Sequence, residues 1–452
     1  MSRWPPNRWE EDELVSKTRA RVDQGALNLT PSQAETSYQG SMAGTNRHDD
    51  DAASSRVSMY SYRSNDRDNM RFVKEVDGRT INALSDQYYL PTDDPEWERL
   101  DKQHVAVVLG LGGLYPAKEV VRAVLAQQEG VQKSILDLGC GTGVWAVEMA
   151  KEFPWADVVG VDLALCPLEP ENVPPNCRFE MDNLNLGLSH YENQFDVVHL
   201  RFVGSGLKDF PQRMKDVHAT LKPGGVVLWV DVDYSLYFTP EFRYIPFALD
   251  ANDPVGAWGQ RSLAEMRRAC TIVGSDIHGM EDALDNGLWN NEQIDPETCK
   301  TGSLYLPIGP WATHEDPAIT QKLRYIGALM RTDAINGMKS IRPLLSKFWP
   351  PEIVDQWAKM AQKENMEMKN SPSMRVRLAW GRKRADGEER APPLPLRPEP
   401  TESSSDDDAL SDTDTKPYPF LFIYDSPEVS MEQKLLRNRD KVVSLPPSPS
   451  KS

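Results

Sequence analysis

The sequence predicts an α/β protein built around a doubly wound, mostly parallel sheet. Two observations support that prediction. From residue 115 onward, apolar runs of strand length alternate with segments of helical period, the pattern of a parallel sheet covered on both faces. The first run, Ile135-Leu136-Asp137-Leu138, passes straight into Gly139-Cys140-Gly141-Thr142-Gly143 and then into a helix, the kind of turn at which such sheets receive ligands.

The elements follow in order. Order is expected to begin near Met70, and a helix starts within 95–101, with Pro91 and Pro95 as punctuation and Asp94 as the expected N-cap. A helix is expected over 117–127, a strand over 134–138, a helix over 144–153 and a strand over 157–161 that ends at Asp162. Strands over 178–181 and 194–200 come next, then a helix over 210–221 and a fifth strand over 225–232. Helices are expected over 263–273, 320–331 and 353–368, with a strand over 303–308 and a closing strand over 374–380.

Both ends differ in composition. Residues 1–66 are rich in Ser, Asn, Asp, Arg and Gly, and 385–452 contain the acidic run Ser403-Ser404-Ser405-Asp406-Asp407-Asp408 and a Pro/Ser-rich end. Such segments bury too little apolar surface to fold alone, so both are expected to be disordered tails. One apolar island, Pro419-Phe420-Leu421-Phe422-Ile423-Tyr424, interrupts the second.

Of 452 residues 39% are hydrophobic, and 51 Lys+Arg against 68 Asp+Glu give a net charge of −17. A nucleic-acid footprint over the whole surface needs a basic excess, so direct nucleic-acid binding is not expected. No apolar run reaches the length of about 18 residues that suggests a membrane span, and Met1-Ser2-Arg3-Trp4-Pro5-Pro6 opens no signal-peptide apolar region. The expectation is an intracellular protein, cytoplasmic or nuclear, without membrane contact. The five cysteines show no Cys-x-x-Cys spacing and are read as reduced thiols, with no metal site.

The chemistry centres on the glycines. Gly139, Gly141 and Gly143 let the backbone turn tightly and let a ligand come close. A carboxylate at Asp162, about 20 residues on, can accept hydrogen bonds from ribose hydroxyls. Gly141, Gly143 and Ala146 also fit the dinucleotide pattern, so a nicotinamide cofactor is the competing reading. Asp137 speaks against it, because a carboxylate there would face a pyrophosphate. It suits the ammonium of an amino acid, which S-adenosylmethionine has together with a ribose, a cationic sulfonium and no phosphate.

Asp-Leu-Gly-Cys-Gly-Thr-Gly at 137–143 resembles the first motif of class I S-adenosylmethionine-dependent methyltransferases, and Asp162 resembles the acidic second motif. Met181-Asp182-Asn183 falls where that family contacts adenine. Phe195-Asp196-Val197-Val198-His199 and Leu221-Lys222-Pro223-Gly224-Gly225 resemble its later motifs. Tyr88-Tyr89-Leu90, 98–104, 141–146, 204–209 and Pro307-Ile308-Gly309-Pro310-Trp311 are similar to the fungal LaeA-like methyltransferases, regulators and enzymes of secondary metabolism. The sequence departs from that group at Gly204-Ser205-Gly206-Leu207, where Gly-Ser-Ile is more usual. The resemblance implies a Rossmann-like sheet at 134–384 with a substrate-capping insertion at about 240–370, and a helical N-terminal lid within 67–133. It also implies S-adenosylmethionine as cofactor, with Asp137, Gly139, Gly141, Gly143, Asp162, Asp182 and Asn183 around it.

Methyl transfer needs alignment more than it needs catalytic groups, because the sulfonium already activates the methyl carbon. A base is required only if the acceptor must lose a proton. His199 is the expected base, since it alone among the strand-end candidates titrates near neutrality, although a structural histidine is the other reading. Asp231 and Asp233 are read as solvated loop acids, with Asp231 a substrate-side candidate. Tyr88 and His104 fall on the lid, and Arg201 is a candidate for an anionic group or for a structural ion pair. The methyl acceptor is a small molecule or a protein. The alternative to catalysis is a cofactor-binding regulatory subunit of a nuclear complex, with the tails, including Ser426 and Ser448 before prolines, as sites for protein partners.

Overall fold

The structure is a computed structural model and describes residues 60–61, 72–85, 88–239, 242–250, 253, 256–385, 387 and 418–438. In chain order the strands are β1 (Tyr60–Ser61), β2 (Val73–Val76), β3 (Arg79–Asn82), β4 (Lys133–Leu138), β5 (Ala156–Asp162), β6 (Cys177–Met181), β7 (Phe195–Arg201), β8 (Leu221–Phe238), β9 (Arg243–Tyr244), β10 (Lys300–Pro307), β11 (Pro372–Arg382) and β12 (Leu421–Tyr424). The helices are α1 (Asp94–Leu111), α2 (Lys118–Val124), α3 (Val144–Glu152), α4 (Phe210–Thr220), α5 (Trp258–Ile272), α6 (Ile277–Asn286), α7 (Pro317–Ser340), α8 (Arg342–Leu345), α9 (Pro351–Glu367) and α10 (Pro427–Asn438).

The main sheet runs β1-β6-β5-β4-β7-β8-β11-β10-β12, with β9 beside β8. The strands β6, β5, β4, β7 and β8 are parallel, and the order reverses between β4 and β7, the switch point where open α/β sheets bind ligands. Successive side chains on a strand face opposite sides. Ile135, Val197 and Val226 therefore enter one apolar layer with Trp145, Leu323 and Ile326, while Leu136, Val198 and Val227 enter the other with Phe210, Met280 and Leu345. Among the described residues no helix is long and apolar enough to cross a membrane.

Four expectations change. The N-cap of α1 is Asp93, whose side chain accepts from the Glu96 amide, with Asp94 as the first helical residue. The fifth strand extends to Phe238, so Asp231 and Asp233 are buried strand residues at 1% and 0% exposure instead of solvated loop acids. Their charges are answered from β11, where Arg377 lies in register with Asp231 and Arg375 Nη1 donates to Asp233 Oδ2 at 3.0 Å.

The tails are the other two. Most of 1–66 lies outside the described residues, but Tyr60–Ser61, inside the expected N-terminal tail, pairs antiparallel with Met181 and Glu180 of β6. In the C-terminal tail, 418–438 are folded: Leu421–Tyr424 pairs antiparallel with Thr301–Leu304 of β10, and α10 follows. An apolar strand beside an open sheet edge satisfies both sets of backbone groups, which the composition of the tail as a whole conceals.

Candidate active site

The carboxyl ends of β4 to β7 meet in one cavity of about 250 Å³. Its floor is the glycine loop, folded back on β5 by the Gly139 and Cys140 amides, which donate to the Val161 carbonyl at 2.7 and 2.9 Å. Gly139 has φ of 77°, and a Cβ there would lie 2.2 Å from Val203 Cγ1. At Gly143, also at φ 77°, a Cβ would lie 2.6 Å from Phe179 Cζ and 2.7 Å from Cys166 Sγ. No other residue fits either position without movement of its neighbours. Gly141 differs: its amide donates to Asp162 Oδ2 at 2.8 Å, while the Ala164 amide donates to Oδ1 at 3.0 Å. Burial raises the Asp162 pKa and these amides oppose the rise. A carboxylate accepts about four hydrogen bonds, so Asp162 keeps capacity for the two hydroxyls of a ribose.

Gly139, Gly141, Asp162 and Asn183 line the cavity together with Tyr88, His104 and Arg201. Asn183 also caps the short turn after β6, its Oδ1 accepting from the Asn185 amide at 3.0 Å. Tyr88 packs over Gly206, where a Cβ would lie 3.0 Å from its ring. The glycine at that departure from the family pattern thus makes room for an aromatic wall.

Five expected residues lie elsewhere, among them Gly143, which packs against Phe179 and Cys166. Asp137 and His199 do not line the cavity. They are paired across β4 and β7, Asp137 Oδ1 to His199 Nδ1 at 2.7 Å, and the imidazole stacks on Trp145 at a centroid distance of 3.8 Å. Burial lowers the His199 pKa, against the pull of Asp137. The expected base and the expected ammonium acceptor are each other's partner beneath the loop. Asp182 is buried beside the cavity, with Oδ1 accepting from the Asn183 amide at 2.7 Å and His190 Nε2 at 3.0 Å from Oδ2. Asp231 accepts from the Gly204 amide at 2.9 Å, fixing the loop that carries Gly206, and burial pushes its pKa up to about 6.

The sequence did not reveal the polar brace opposite the glycine loop. Arg99 on α1 donates to both oxygens of Glu96, at 3.0 and 2.7 Å, and to Asp333 Oδ1 on α7 at 2.6 Å. Ser340 donates to Glu96. One signal was available: Asp333 falls on the inward face of a helix, among apolar inward residues such as Ile326 and Met330. The cavity lining also includes the apolar Leu263, Met266, Met330, Met338 and Met374, with Tyr234.

The cavity thus combines a glycine loop open to close approach, a carboxylate with spare acceptor capacity at Asp162 and a cation at Arg201. A family model described as a methyltransferase domain matches residues 115–270. The secondary metabolism regulator laeA of Coprinopsis cinerea is 32% identical over 307 residues, covering 68% of this chain and 72% of that protein. The protein-methionine methyltransferase laeA of Emericella nidulans is 29% identical over 301 residues, covering 65% and 72%. The methyltransferase pytC of Aspergillus terreus is 29% identical over 272 residues, covering 59% and 74%. The chain belongs to the LaeA-like family of methyltransferases, enzymes whose cofactor is S-adenosylmethionine.

Proposed function

We propose that this methyltransferase acts in the control of fungal secondary metabolism and that its acceptor is a thioether sulfur, that of a protein methionine. The observation behind this reading is that the titratable side chains along the cavity are already engaged or hard to ionise. His104 holds Glu148 and Arg201, Asp333 holds Arg99, and Asp162 holds two amides. Burial raises the pKa of Tyr88, Tyr234 and Cys140. Such a site favours an acceptor with no proton to lose. A thioether qualifies: one lone pair forms the new sulfur–carbon bond as the old one breaks, and the positive charge passes from one sulfur to the other. The four methionines in the cavity lining suit an apolar, polarisable side chain. The name of the Emericella relative points to the same chemistry.

In this reading Asp162 and Asn183 hold the nucleoside, and the glycine loop admits the cofactor to the backbone. S-adenosylmethionine, when bound, supplies an activated methyl carbon; the chain supplies alignment and a water-poor site. The test is incubation of the full chain and fungal extract with methyl-labelled S-adenosylmethionine. Label recovered as S-methylmethionine in protein supports the reading. Label on a small molecule, or on protein oxygen or nitrogen, refutes the thioether acceptor, and no transfer at all favours a purely regulatory cofactor-binding role.

A further inference from the structure

The strands deliver groups to the cavity in a spatial order. β6 is followed by Asn183, β5 ends at Asp162, β4 is followed by Gly139, and β7 ends at Arg201, with the four strands paired in that sequence. The pairing of Leu138 with Leu200 sets Arg201 beside Gly139. S-adenosylmethionine has a parallel order along its length: base, ribose, sulfonium, then amino acid. With the ribose on Asp162, the proposed reading on which this inference rests, the amino-acid end points towards β7.

Arg201 is held for such a role. Its Nη2 lies 2.9 Å from His104 Nδ1, and His104 Nε2 lies 2.9 Å from Glu148 Oε2. A guanidinium only donates, so Nδ1 accepts. The ring proton therefore sits on Nε2 and is donated to Glu148. Burial and the neighbouring arginine lower the His104 pKa against the pull of Glu148. The other terminal nitrogen, Arg201 Nη1, is buried and meets no acceptor among the described residues, although Arg201 lines the cavity. Asp137, a neighbouring carboxylate, is engaged by His199 at 2.7 Å. A partly buried cation that lines a cavity and has one unpaired terminal nitrogen calls for an anion there.

We propose that Arg201 binds the carboxylate at the amino-acid end of S-adenosylmethionine, with His104 and Glu148 as the residues that position it. The alternative is that Arg201 meets an anionic group of the methyl acceptor.

Calorimetry on the full chain separates these, using S-adenosylhomocysteine and 5′-methylthioadenosine, which keeps the nucleoside and thioether but lacks the amino acid. Arg201→Met is expected to weaken S-adenosylhomocysteine by about 10- to 100-fold and to leave 5′-methylthioadenosine within about twofold, which also shows that the variant is folded. Glu148→Gln is expected to reproduce the same selectivity at several-fold, and Arg201→Lys to retain part of the affinity. Equal weakening of both ligands, or no weakening of either, overturns the proposal. Unchanged S-adenosylhomocysteine binding with a raised KM for the acceptor assigns Arg201 to the acceptor instead. A wild-type chain that binds neither ligand contradicts the underlying placement of the nucleoside, a distinct result.

Discussion

Arg437, on the last helix, reaches Asp285 Oδ1 at 3.4 Å and so joins a buried charge network whose other members lie within the catalytic sheet and α6. Arg375 Nη2 donates to the same oxygen at 2.6 Å, and Arg377 Nη2 lies 3.0 Å from Asp233 and 3.3 Å from Glu281. Arg267 also holds Glu281, so four arginines face three acids, and removing the tail leaves three against three. Ser430 reinforces the junction, donating to the Asp285 carbonyl at 2.8 Å while its hydroxyl lies 2.7 Å from Thr301 Oγ1.

A chain truncated after residue 385 is therefore expected to be less stable, despite the disordered composition of that tail. Arg437→Met is expected to cost about 1–3 kcal/mol, less than the loss of an only partner, because Arg375 and Arg377 remain on Asp285. Urea denaturation is the measurement. Equal midpoints for the intact and truncated chains would show that the segment adds nothing to the fold.

The parts legible in the sequence were those with local signals. The glycine turn, the acid ending β5 and the apolar runs of the parallel strands state their structure within a few residues. What was hidden depends on long-range pairing. Asp231 and Asp233 break an apolar run and look like turn residues until Arg375 and Arg377, over 140 residues later, align beside them. The pairing of Asp137 with His199 is likewise set by the register of β4 on β7, which gives each buried residue the other as its partner. The island at 421–424 has the strand pattern, but only the free edge of β10 makes it a strand.

Two buried groups give opposing pH dependences. Burial depresses the His218 pKa to about 4, so the unfolded chain binds the extra proton and this group costs stability as pH falls from about 6.5 to about 4. Asp231 is raised to about 6, so the folded chain binds the proton first and this acid costs stability as pH rises from about 4 to about 6. Each is worth up to about 3 kcal/mol, and they offset each other over the shared range. Asp231→Asn is expected to steepen the loss of stability between pH 6.5 and 4, and His218→Gln to flatten or reverse it. Urea midpoints across that range check both signs, and parallel pH profiles for the two variants would contradict them.

At the glycine loop, Gly139→Ala places a methyl 2.2 Å from Val203 Cγ1 on a backbone at φ 77°. The expected loss is about 2–4 kcal/mol of stability, from overpacking and left-handed strain together, with weaker S-adenosylhomocysteine binding. Adding Val203→Ala relieves the clash but not the backbone strain. The double variant is expected to recover part of the loss, leaving about 1 kcal/mol. A double variant no better than Gly139→Ala would mean that the contact with Val203 is not what excludes a side chain there.

The lid expected within 67–133 includes α1, whose attachment bears on how much of it can move. Arg99, Glu96 and Asp333 are each under 9% exposed and form one ion-pair cluster joining α1 to α7. Opening α1 would strip Arg99 from Asp333 and expose or strand both charges, a cost of several kcal/mol. The preceding segment, with Tyr88 against Gly206, is held instead by Lys347 on the Tyr89 hydroxyl, with no ion pair to α7 among the described residues. Hydrogen exchange is therefore expected to find the α1 amides protected in the free protein. Addition of S-adenosylhomocysteine should raise protection chiefly in 88–92 and 139–145. Arg99→Met should remove the difference between the two segments by loosening α1, with a stability loss of about 3–5 kcal/mol. Fast exchange throughout 94–104 in the free wild-type chain, slowed by ligand, would instead make the whole helix the moving part.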